Sequence, residues 1–546
     1  MQLFCSGLPS RPPLRSYLPW QVVISVLDGP PPPRDSASRF PAPPHDFLTV
    51  SLLLKLLQAL FSLRFAIVSS SDSLERMQAS TVLAATWLLF LVAAGAPGQY
   101  SKPAFTPIFT RQPFMVAWNV PTQDCEPRFK VQLDFSVFDV HASPNEGYVD
   151  QDVTIFYRER LGLYPYYDEQ KVAVNGGVPQ NSSLKQHLAH LCGGIKKYIR
   201  SETKEGLAII DWEEWRPIWI RNWVPKDIYR NASCQLVLTR RPGLPEAQVK
   251  KAAQYEFETS ASEFMKETLR HAKNFRPQQL WGYYLFPDCY NRDYSKNQES
   301  YTGECPDVEK TRNDYLSWLW KESTALYPSI YLEDILANTT NGHRFVRSRV
   351  KEALRISQQH HDKYMLPIFV YTRPTYLRKQ AVLSQMDLIS TIGESAALGA
   401  AGAIFWAESE NTGSRETCQT IKNYIEGDLG HYIINVTTAA KLCSQTLCNS
   451  HGRCVRQDSD ANVFLHLNPA SFQIYRNEGK PLLMPRGKLS HSDKAFLEKN
   501  FQCHCYQGWY GEGCEVPLNP PGGGPCLSCT LGLQLLITLS LLACLH

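Results

Sequence analysis

The strongest constraint on the fold is an alternation of short apolar segments with longer, helix-compatible ones. The apolar segments have the length and the β-branched or aromatic content of buried strands. There are seven of them: Phe114–Asn119, Asp152–Tyr157, Leu207–Trp212, Leu280–Phe286, Leu326–Tyr331, Leu366–Tyr371 and Ala403–Trp406. The helix-compatible stretches between them include Pro245–Lys273, Arg347–His360 and Glu394–Ala401. A strand–helix alternation repeated about seven times predicts an α/β barrel.

Functional side chains are expected at one rim of such a barrel. In α/β barrels the active site lies at the C-terminal ends of the strands. Polar or aromatic residues recur at these ends: Asn119, Tyr157, Asp211, Glu213, Tyr284, Tyr331, Tyr371 and Trp406. One strand-end tyrosine is compatible with core packing, but so many at one rim indicate a binding site.

A pair of carboxylates stands at one of these strand ends. The apolar run Leu207–Ile210 is followed by Asp211, Trp212 and Glu213. Side chains two apart on a strand point to the same side, so the two carboxyls share a face. Because two close carboxyls walled by aromatics cannot both ionise freely, we expect one to have a raised pKa and to serve as an acid. That chemistry protonates a glycosidic oxygen. The tripeptide is common, and taken alone it favours acids that face solvent or cap the next segment.

Composition indicates a secreted protein. The chain has 546 residues, and its net charge of +4 is too small to indicate nucleic acid binding. It contains 16 cysteines. Four glycosylation sequons begin at Asn181, Asn231, Asn338 and Asn435. Together the cysteines and sequons favour an oxidising, extracellular compartment.

The two ends of the chain have the character of processing signals. Residues 1–76 are Pro-rich in places, and we predict an extension that is not native to the protein; an additional N-terminal domain is the alternative. Residues 77–98 resemble a signal peptide, which leaves 99–440 for the barrel. Residues 517–546 combine small residues, a short spacer and a terminal apolar stretch. This order predicts a GPI-anchor signal, with attachment at Gly522 or Gly523; a single membrane span is the alternative.

A second, disulfide-rich domain is predicted at residues 441–516. It contains six cysteines: Cys443, Cys448, Cys454, Cys503, Cys505 and Cys514. Their order, with the Gly508–Gly511 segment, resembles an EGF-like module. Spacing alone leaves every pairing open, whereas the resemblance implies the bonds Cys443–Cys454, Cys448–Cys503 and Cys505–Cys514. Metal ligation by Cys503, His504 and Cys505 is the alternative, but an oxidising compartment disfavours it and we predict no metal or cofactor.

Several motifs together resemble the animal hyaluronidase family, and most closely its GPI-anchored members. They are Ala117–Pro121, Gly176–Asn181, Ala208–Glu213, Trp281–Asn291, Leu326–Tyr331, Tyr371–Tyr376, Met386–Ile392 and Gly393–Gly402. The resemblance extends from about Phe105 to Cys514. It implies a distorted TIM-like (β/α) barrel that cleaves the β-1,4 bonds of hyaluronan internally, with retention at the anomeric carbon. It also implies that the substrate's own N-acetyl carbonyl is the nucleophile, as in substrate-assisted glycosidases.

The resemblance implies catalytic roles for four residues. Glu213 matches the acid/base, and Asp211 matches the group that orients the acetamide. Tyr284 and Tyr331 match residues that hydrogen-bond the acetamide and the developing charge.

It also implies four substrate-binding residues. Trp406 would pack against the acetyl methyl group, and Tyr157 would line the sugar groove. Arg216 and Arg349 match positions that hold the carboxylated polymer or support the site. The alternatives are an ion pair between Arg216 and Glu214, and a solvated helix face for Arg349.

Two further disulfides follow from the same resemblance, namely Cys125–Cys418 and Cys289–Cys305. Cys192 and Cys234 are additional to the pattern. They flank the catalytic strand, and a sixth bond between them is one option.

The resulting prediction is a cell-surface, GPI-anchored hydrolase that acts on hyaluronan, with chondroitin as a further substrate left open. An additional endosomal or lysosomal pool also stays open. The alternative is a GPI-linked receptor or hyaluronan-binding protein with weak catalysis. A chitinase-like or chondroitin-preferring hydrolase would use the same acid and acetamide chemistry.

Overall fold

The computed structural model describes residues 102–109, 112–144, 149–479 and 481–518. The predicted N-terminal extension and signal peptide lie outside these residues, as does the predicted anchor signal beyond residue 518. Within the described ranges, no helix is long and apolar enough to cross a membrane.

Short strands and longer helices alternate along the first three quarters of the described chain. The strands are β1 (Met115–Trp118), β2 (Val140–His141), β3 (Val153–Tyr157), β4 (Tyr166–Tyr167), β5 (Ala173–Val174), β6 (Gly206–Asp211), β7 (Gln279–Tyr283), β8 (Phe369–Thr372), β9 (Gly402–Phe405), β10 (Gly452–Arg456), β11 (Phe472–Arg476), β12 (Leu483–Gly487), β13 (Phe501–Cys505), β14 (Trp509–Tyr510) and β15 (Val516–Pro517). The α-helices are α1 (Leu184–Tyr198), α2 (Asp227–Arg240), α3 (Glu246–Phe275), α4 (Asp307–Tyr315), α5 (Ser317–Glu322), α6 (Thr340–Gln359), α7 (Gln385–Leu388), α8 (Glu394–Leu398), α9 (Arg415–Glu426), α10 (Asp428–Leu447) and α11 (His491–Asn500).

Parallel strands form the centre of the fold. One sheet has the order β2-β1-β9-β8, and a second has the order β3-β6-β7. The segment 326–331 links the two sheets, because it forms single parallel bridges to both: Tyr284–Tyr327, Leu326–Ile368 and Ser329–Tyr371. Eight parallel segments therefore follow one another in barrel order; isolated bridges join segment 326–331 to its neighbours, and β2 and β3 share no ladder among the described residues. The predicted distorted TIM-like barrel is confirmed.

Six of the seven predicted strands are confirmed, and the prediction for Leu326–Tyr331 is wrong in part. This segment is extended but makes only isolated bridges instead of a continuous ladder. Pro328 lies in its middle and has no N–H to donate to a neighbouring strand. The ladder is interrupted there, although the segment keeps its place in the barrel.

The predicted helices are found with shifted ends. Pro245–Lys273 corresponds to α3, and Arg347–His360 to the C-terminal part of α6. Helix α6 starts earlier because the Thr339 side chain accepts a hydrogen bond from the Gly342 N–H and so caps its first turn. Helix α8 ends at Gly399, whose φ of 96° lies in the left-handed region that favours glycine.

Because side chains alternate between the two faces of each strand, the core has two layers. On β6, Leu207 and Ile209 point into the barrel, where they pack with residues from the other strands. Ala208 and Ile210 point outward into the larger core beneath the helices. The inward parity continues to Asp211 at the strand's C-terminal end, which places this carboxyl at the mouth of the barrel.

The C-terminal module packs on the barrel and carries its own small sheets. Strands β10 and β13 pair antiparallel, as do β11 with β12 and β14 with β15. The five disulfides implied by the resemblance are all present: Cys125–Cys418, Cys289–Cys305, Cys443–Cys454, Cys448–Cys503 and Cys505–Cys514. A sixth bond between Cys192 and Cys234 does not form. These two residues lie on separate helices, α1 and α2, which were not visible as such in the sequence.

Candidate active site

The two carboxyls lie together at the C-terminal end of β6. Asp211 is the last residue of that strand and is in register with Tyr157 at the end of β3. Trp212 points the other way, where it is buried and stacks on Tyr164 with ring centroids 4.4 Å apart. This stack fixes the direction of the backbone, so that Asp211 and Glu213 face the barrel mouth.

Asp211 is the carboxyl with the raised pKa. Burial raises the pKa of Asp211 well above its ordinary value, and the neighbouring Glu213 and Glu214 raise it further, while Arg216 opposes the shift. Its Oδ1 atom is buried and has no hydrogen-bond partner within the protein. The raised pKa of Asp211 agrees with the prediction for one member of the pair, whereas the resemblance gives the role of acid to Glu213.

Glu213 is more accessible and is held by an arginine. Its side chain is 44% exposed, and its Oε2 lies 3.0 Å from Nη2 of Arg216. Arg216 Nη1 also donates to the Glu213 backbone carbonyl at 2.9 Å. The alternative partner, Glu214, is taken by Arg158, whose Nη1 lies 2.9 Å from Oε1. Arg216 therefore supports Glu213 directly.

The loop after Glu213 is pinned at two points. The Asn222 side chain accepts a hydrogen bond from the Arg216 backbone N–H at 2.8 Å and donates to its carbonyl at 2.9 Å. Lys226 donates to the Glu213 carbonyl. Burial lowers the pKa of Lys226 to about 8, and Arg216 lowers it as well. These contacts hold the acidic side chain at a fixed place on the rim.

Two tyrosines approach the carboxyls from neighbouring segments. Tyr284 follows β7, and Tyr331 ends the segment 326–331; their ring centroids are 6.3 Å apart. Tyr284 forms a parallel bridge with Tyr327 of that segment. Burial raises the pKa of Tyr284 and Tyr331, and Glu213 adds to the shift for Tyr284. Both phenols therefore stay neutral and keep an O–H that can donate to a ligand.

An aromatic wall faces the carboxyls. Trp406 Nε1 donates to the Tyr157 hydroxyl at 3.2 Å. The Trp406 ring is nearly parallel to that of Tyr331, with an interplanar angle of 9° and centroids 6.3 Å apart. Arg373 lies against both rings, with its guanidinium carbon 5.6 Å from the centroid of Tyr331 and 5.8 Å from that of Trp406. The structure thus brings together seven of the eight predicted site residues.

The eighth, Arg349, is buried behind the site and does not line its mouth. Its side chain is only 3% exposed. Its guanidinium donates to Asn291 Oδ1 at 3.1 Å and to the Ser329 carbonyl at 2.9 Å, and it pairs with Asp288 at 3.0 Å. It braces two loops of the barrel from behind, which agrees with the other role that the resemblance implied, support of the site. The alternative of a solvated helix face is wrong because the side chain is buried.

Three residues at or after the ends of β6, β7 and β8 were not assigned from the sequence. Arg373 stands two residues after Tyr371 at the end of β8, so the period of two could have indicated it. Trp223 and Tyr290 give no such signal, because they lie on irregular loops. The two residues are 36% and 38% exposed, and their rings meet edge to face with centroids 5.2 Å apart. Arg221 covers the Tyr290 ring at 4.2 Å. They form an exposed aromatic platform on the loops that follow β6 and β7.

The sequons differ in accessibility. Asn181, Asn231 and Asn338 are exposed, whereas Asn435 is half-buried. The Asn435 Oδ1 accepts the Leu467 N–H at 2.9 Å, which leaves its Nδ2 available. Glycosylation at all four stays a prediction. Among the described residues, no group of three or more His, Cys, Asp or Glu side chains is arranged to hold a metal ion.

A barrel of parallel strands with paired carboxyls, tyrosines and a tryptophan at its C-terminal mouth has the components of a glycoside hydrolase. The sequence profile of the hyaluronidase family matches residues 103–518. Hyaluronidase-2 of Mus musculus is 56% identical over 416 residues, which cover 76% of this chain and 88% of that protein. Hyaluronidase-2 of Homo sapiens is 54% identical over 441 residues, which cover 80% and 93%. The chain belongs to the hyaluronidase family of enzymes.

A solved structure agrees with this assignment. Bee venom hyaluronidase in complex with a hyaluronic acid tetramer is 31% identical, with a TM-score of 0.50. The match covers 59% of this chain and 98% of that one.

Proposed function

We propose that this enzyme hydrolyses the β-1,4 bonds of hyaluronan internally, with retention at the anomeric carbon and with the substrate's N-acetyl carbonyl as nucleophile. One observation carries the proposal: the buried Asp211, with a raised pKa and an unpartnered Oδ1, lies on the same strand face as the accessible Glu213. A buried polar atom without a partner is costly unless a ligand completes it.

The placement of the carboxyls argues for assistance by the substrate. An ordinary retaining glycosidase uses two carboxyls on opposite faces of the sugar, about 5–5.5 Å apart. Asp211 and Glu213 leave the same strand in the same direction, so both reach the sugar from one side. Glu213 can serve as the acid, but Asp211 cannot then attack from the opposite face. The acetamide of the substrate supplies the nucleophile instead.

Each of the two carboxyls has its own role in the proposed proton transfers. Asp211 accepts the acetamide N–H, and its proton passes to Glu213, so that Asp211 becomes an anion before positive charge develops beside it. The acetamide oxygen then attacks the anomeric carbon while Glu213 protonates the leaving oxygen. A cyclic oxazolinium results, and Asp211 stabilises its positive charge. Glu213 next removes a proton from water, which opens the ring from the same face as the departed group and so retains the configuration.

The surrounding residues position the sugar. Tyr284 and Tyr331 donate hydrogen bonds to the acetamide oxygen as its charge changes, and Trp406 packs against the acetyl methyl group. Tyr157 lines the groove beside it. Arg216 lies next to the acid and offers a positive charge to a polymer that carries one carboxylate per disaccharide.

Attachment to the cell surface belongs to the same proposal. Its support is the sequence of residues 517–546, with Gly522 or Gly523 as the attachment site. Release of the enzyme from intact cells by a phosphatidylinositol-specific phospholipase is the expected outcome. Retention after that treatment would favour a membrane span.

The central experiment compares the parent with Glu213→Gln and with the neighbouring Glu214→Gln. High-molecular-weight hyaluronan is digested from acidic to neutral pH, and chain length and new reducing ends are measured. Loss of the acid lowers the rate by at least about 10²-fold, whereas Glu214→Gln keeps an oxygen that can accept from Arg158 and stays within about tenfold. Proton NMR of the first-formed anomer tests retention.

Two outcomes would overturn the proposal. Binding of hyaluronan without cleavage at any pH would support the receptor function instead. Equal losses in the two glutamine variants would remove Glu213 from the role of acid.

A further inference from the structure

Helix α6 contacts the C-terminal module, residues 441–516, with one face and the loops of the active site with the other. Arg347 and Arg349 are two residues apart and so lie about 200° apart around the helix. On the outer face, Arg347 Nη1 donates to the Asp460 carbonyl at 2.5 Å. Its Nη2 donates to the Ala461 carbonyl at 3.2 Å and to Asn462 Oδ1 at 2.9 Å. One arginine therefore holds three consecutive residues of the module.

A buried carboxylate locks this contact. Glu394 has 0% side-chain exposure and accepts from Arg347 Nε at 2.7 Å. His343, one turn earlier on α6, contacts its other oxygen at 2.8 Å. Arg456 of β10, in the module, reaches the same carboxylate with Nη2 at 2.6 Å and Nη1 at 3.0 Å. Because a buried carboxylate must be paired to be stable, the cluster fixes the module against α6.

The opposite face of α6 holds the parts of the barrel that carry the catalytic tyrosines. Arg349 binds Asp288 and Asn291 in the loop after β7, and the carbonyl of Ser329. Tyr284 forms a parallel bridge with Tyr327, which lies in the same segment 326–331 as Ser329, and Ser329 stands two residues before Tyr331. A displacement of the helix would therefore move both catalytic tyrosines relative to the carboxyls.

We propose that the C-terminal module positions Tyr284 and Tyr331 for catalysis through α6, and that Arg347 is the positioning residue at this contact. The proposal rests on the function proposed above, since it assigns the module a part in that reaction. Tyr284 and Tyr331 act on charge that develops in the transition state. Trp406 and Tyr157, in contrast, bind the ground state and the transition state equally well. Loosening the module contact therefore lowers kcat and leaves KM nearly unchanged.

The test uses the full chain with Arg347→Met and a matched control on the same helix, Arg355→Met. Arg355 is also an ion-paired arginine, but its partners belong to the barrel: Glu352 at 2.8 Å and Asp314 at 2.7 Å. Arg347→Met is expected to lower kcat about tenfold at a KM within about twofold of the parent. The control keeps both constants within about twofold of the parent, for equal amounts of folded protein. Equal kcat in the two variants would overturn the proposal.

Exchanging the charges of an ion pair between α6 and the module provides a second test if Arg347→Met does not fold. Lys351 Nζ lies 3.0 Å from both carboxylate oxygens of Asp460, and the pair is exposed enough to tolerate substitution. Lys351→Glu and Asp460→Lys each place like charges in contact and are expected to lower kcat. The double variant restores the attraction and with it kcat. A double variant no better than the worse single one would contradict the coupling.

Hydrogen–deuterium exchange tests the coupling without any substrate. The Leu285 N–H donates to the Tyr327 carbonyl, and the Ile330 N–H donates to that of Tyr371, both at 2.9 Å. These amides report on the two tyrosine segments and should exchange several-fold faster in Arg347→Met than in Arg355→Met. Unchanged exchange overturns the proposal even if the enzyme is active. If the parent enzyme is inactive but these amides still exchange faster in Arg347→Met, the proposed function is contradicted and the coupling through α6 is not.

Discussion

Replacement of Asp211 by Asn separates what this side chain does for catalysis from what it costs the fold. Asparagine has nearly the same size and shape, so the packing at the end of β6 is kept. Its amide group does not ionise. It therefore cannot take up or release a proton, and it cannot accept the acetamide N–H as an anion. Activity and stability should therefore change in different ways.

The catalytic loss follows from the role of the carboxylate beside a developing positive charge. Removal of one pre-organised electrostatic partner in a buried site costs about 10²–10³ in kcat, or about 2.7–4 kcal/mol. Asp211 is buried at the barrel mouth and faces the reacting acetamide in the proposed mechanism, so the same range is expected. KM changes less, because the tyrosines and Trp406 still hold the sugar.

The effect on stability depends on pH, and its sign is fixed by the raised pKa of Asp211. Between the ordinary value of 3.8 and the raised value, the folded protein keeps a proton that the unfolded chain has released. The stabilising contribution is complete below the ordinary pKa and is lost as pH rises through the raised one. One proton corresponds to a slope of about 1.4 kcal/mol per pH unit. The amide of the Asp211→Asn variant does not titrate and has no such slope, so the variant gains stability relative to the parent as pH rises.

Urea unfolding of parent and variant at several pH values from about 4 to 7 measures this difference, and hyaluronan digestion measures kcat. A free-energy difference that is independent of pH would refute the assignment of the raised pKa to Asp211. A variant that keeps kcat within about threefold would refute its catalytic role, whatever the stability.

Three further outcomes are expected. Trp223→Ala should raise KM for long hyaluronan about tenfold by removing a stacking surface, whereas Tyr255→Ala, an exposed tyrosine on α3, should leave KM unchanged in steady-state kinetics. Arg349→Met leaves the carboxylate of Asp288 without its buried partner and should lower the free energy of unfolding by about 3–5 kcal/mol in urea titrations. An unchanged midpoint would contradict the stabilising role of the buried Arg349. Trp406→Phe removes the hydrogen bond to Tyr157 and should lower kcat/KM at least about tenfold in the digestion assay. A kcat/KM equal to that of the parent would contradict this role of Trp406.

Much of the barrel was predictable, because its signal is local. Six apolar segments form strands where apolar and β-branched residues cluster, and the period of two brought Asp211 and Glu213 to one face. Tyr284, Tyr331 and Trp406 were found by the rule that barrel chemistry lies at the ends of strands. Pro328 explains why the fifth predicted segment is not a continuous strand, and this effect could have been anticipated.

The remainder depends on contacts between distant parts of the chain. Arg349 has the sequence context of a helix surface, and its burial follows only once Asp288 and Ser329 are placed behind it. No sequence rule predicts that Glu394 meets Arg456, which stands 62 positions further along the chain. The relation of Cys192 to Cys234 likewise depends on how two helices are oriented, which the spacing of cysteines does not reveal.

The bond between Cys125 and Cys418 gives the catalytic barrel the topology of a closed ring. It joins the loop after the first barrel strand to the helix after the last one, at a sequence separation of 293. A protease that cuts one exposed loop within this ring opens it without releasing a fragment, and both new ends stay tethered beside the intact sheets. Such a nicked enzyme would run as one species on a gel until the disulfides are reduced, and the rim would keep its full set of catalytic side chains. In any compartment that contains proteases, this ring would confine the effect of a single cleavage to the loop that is cut.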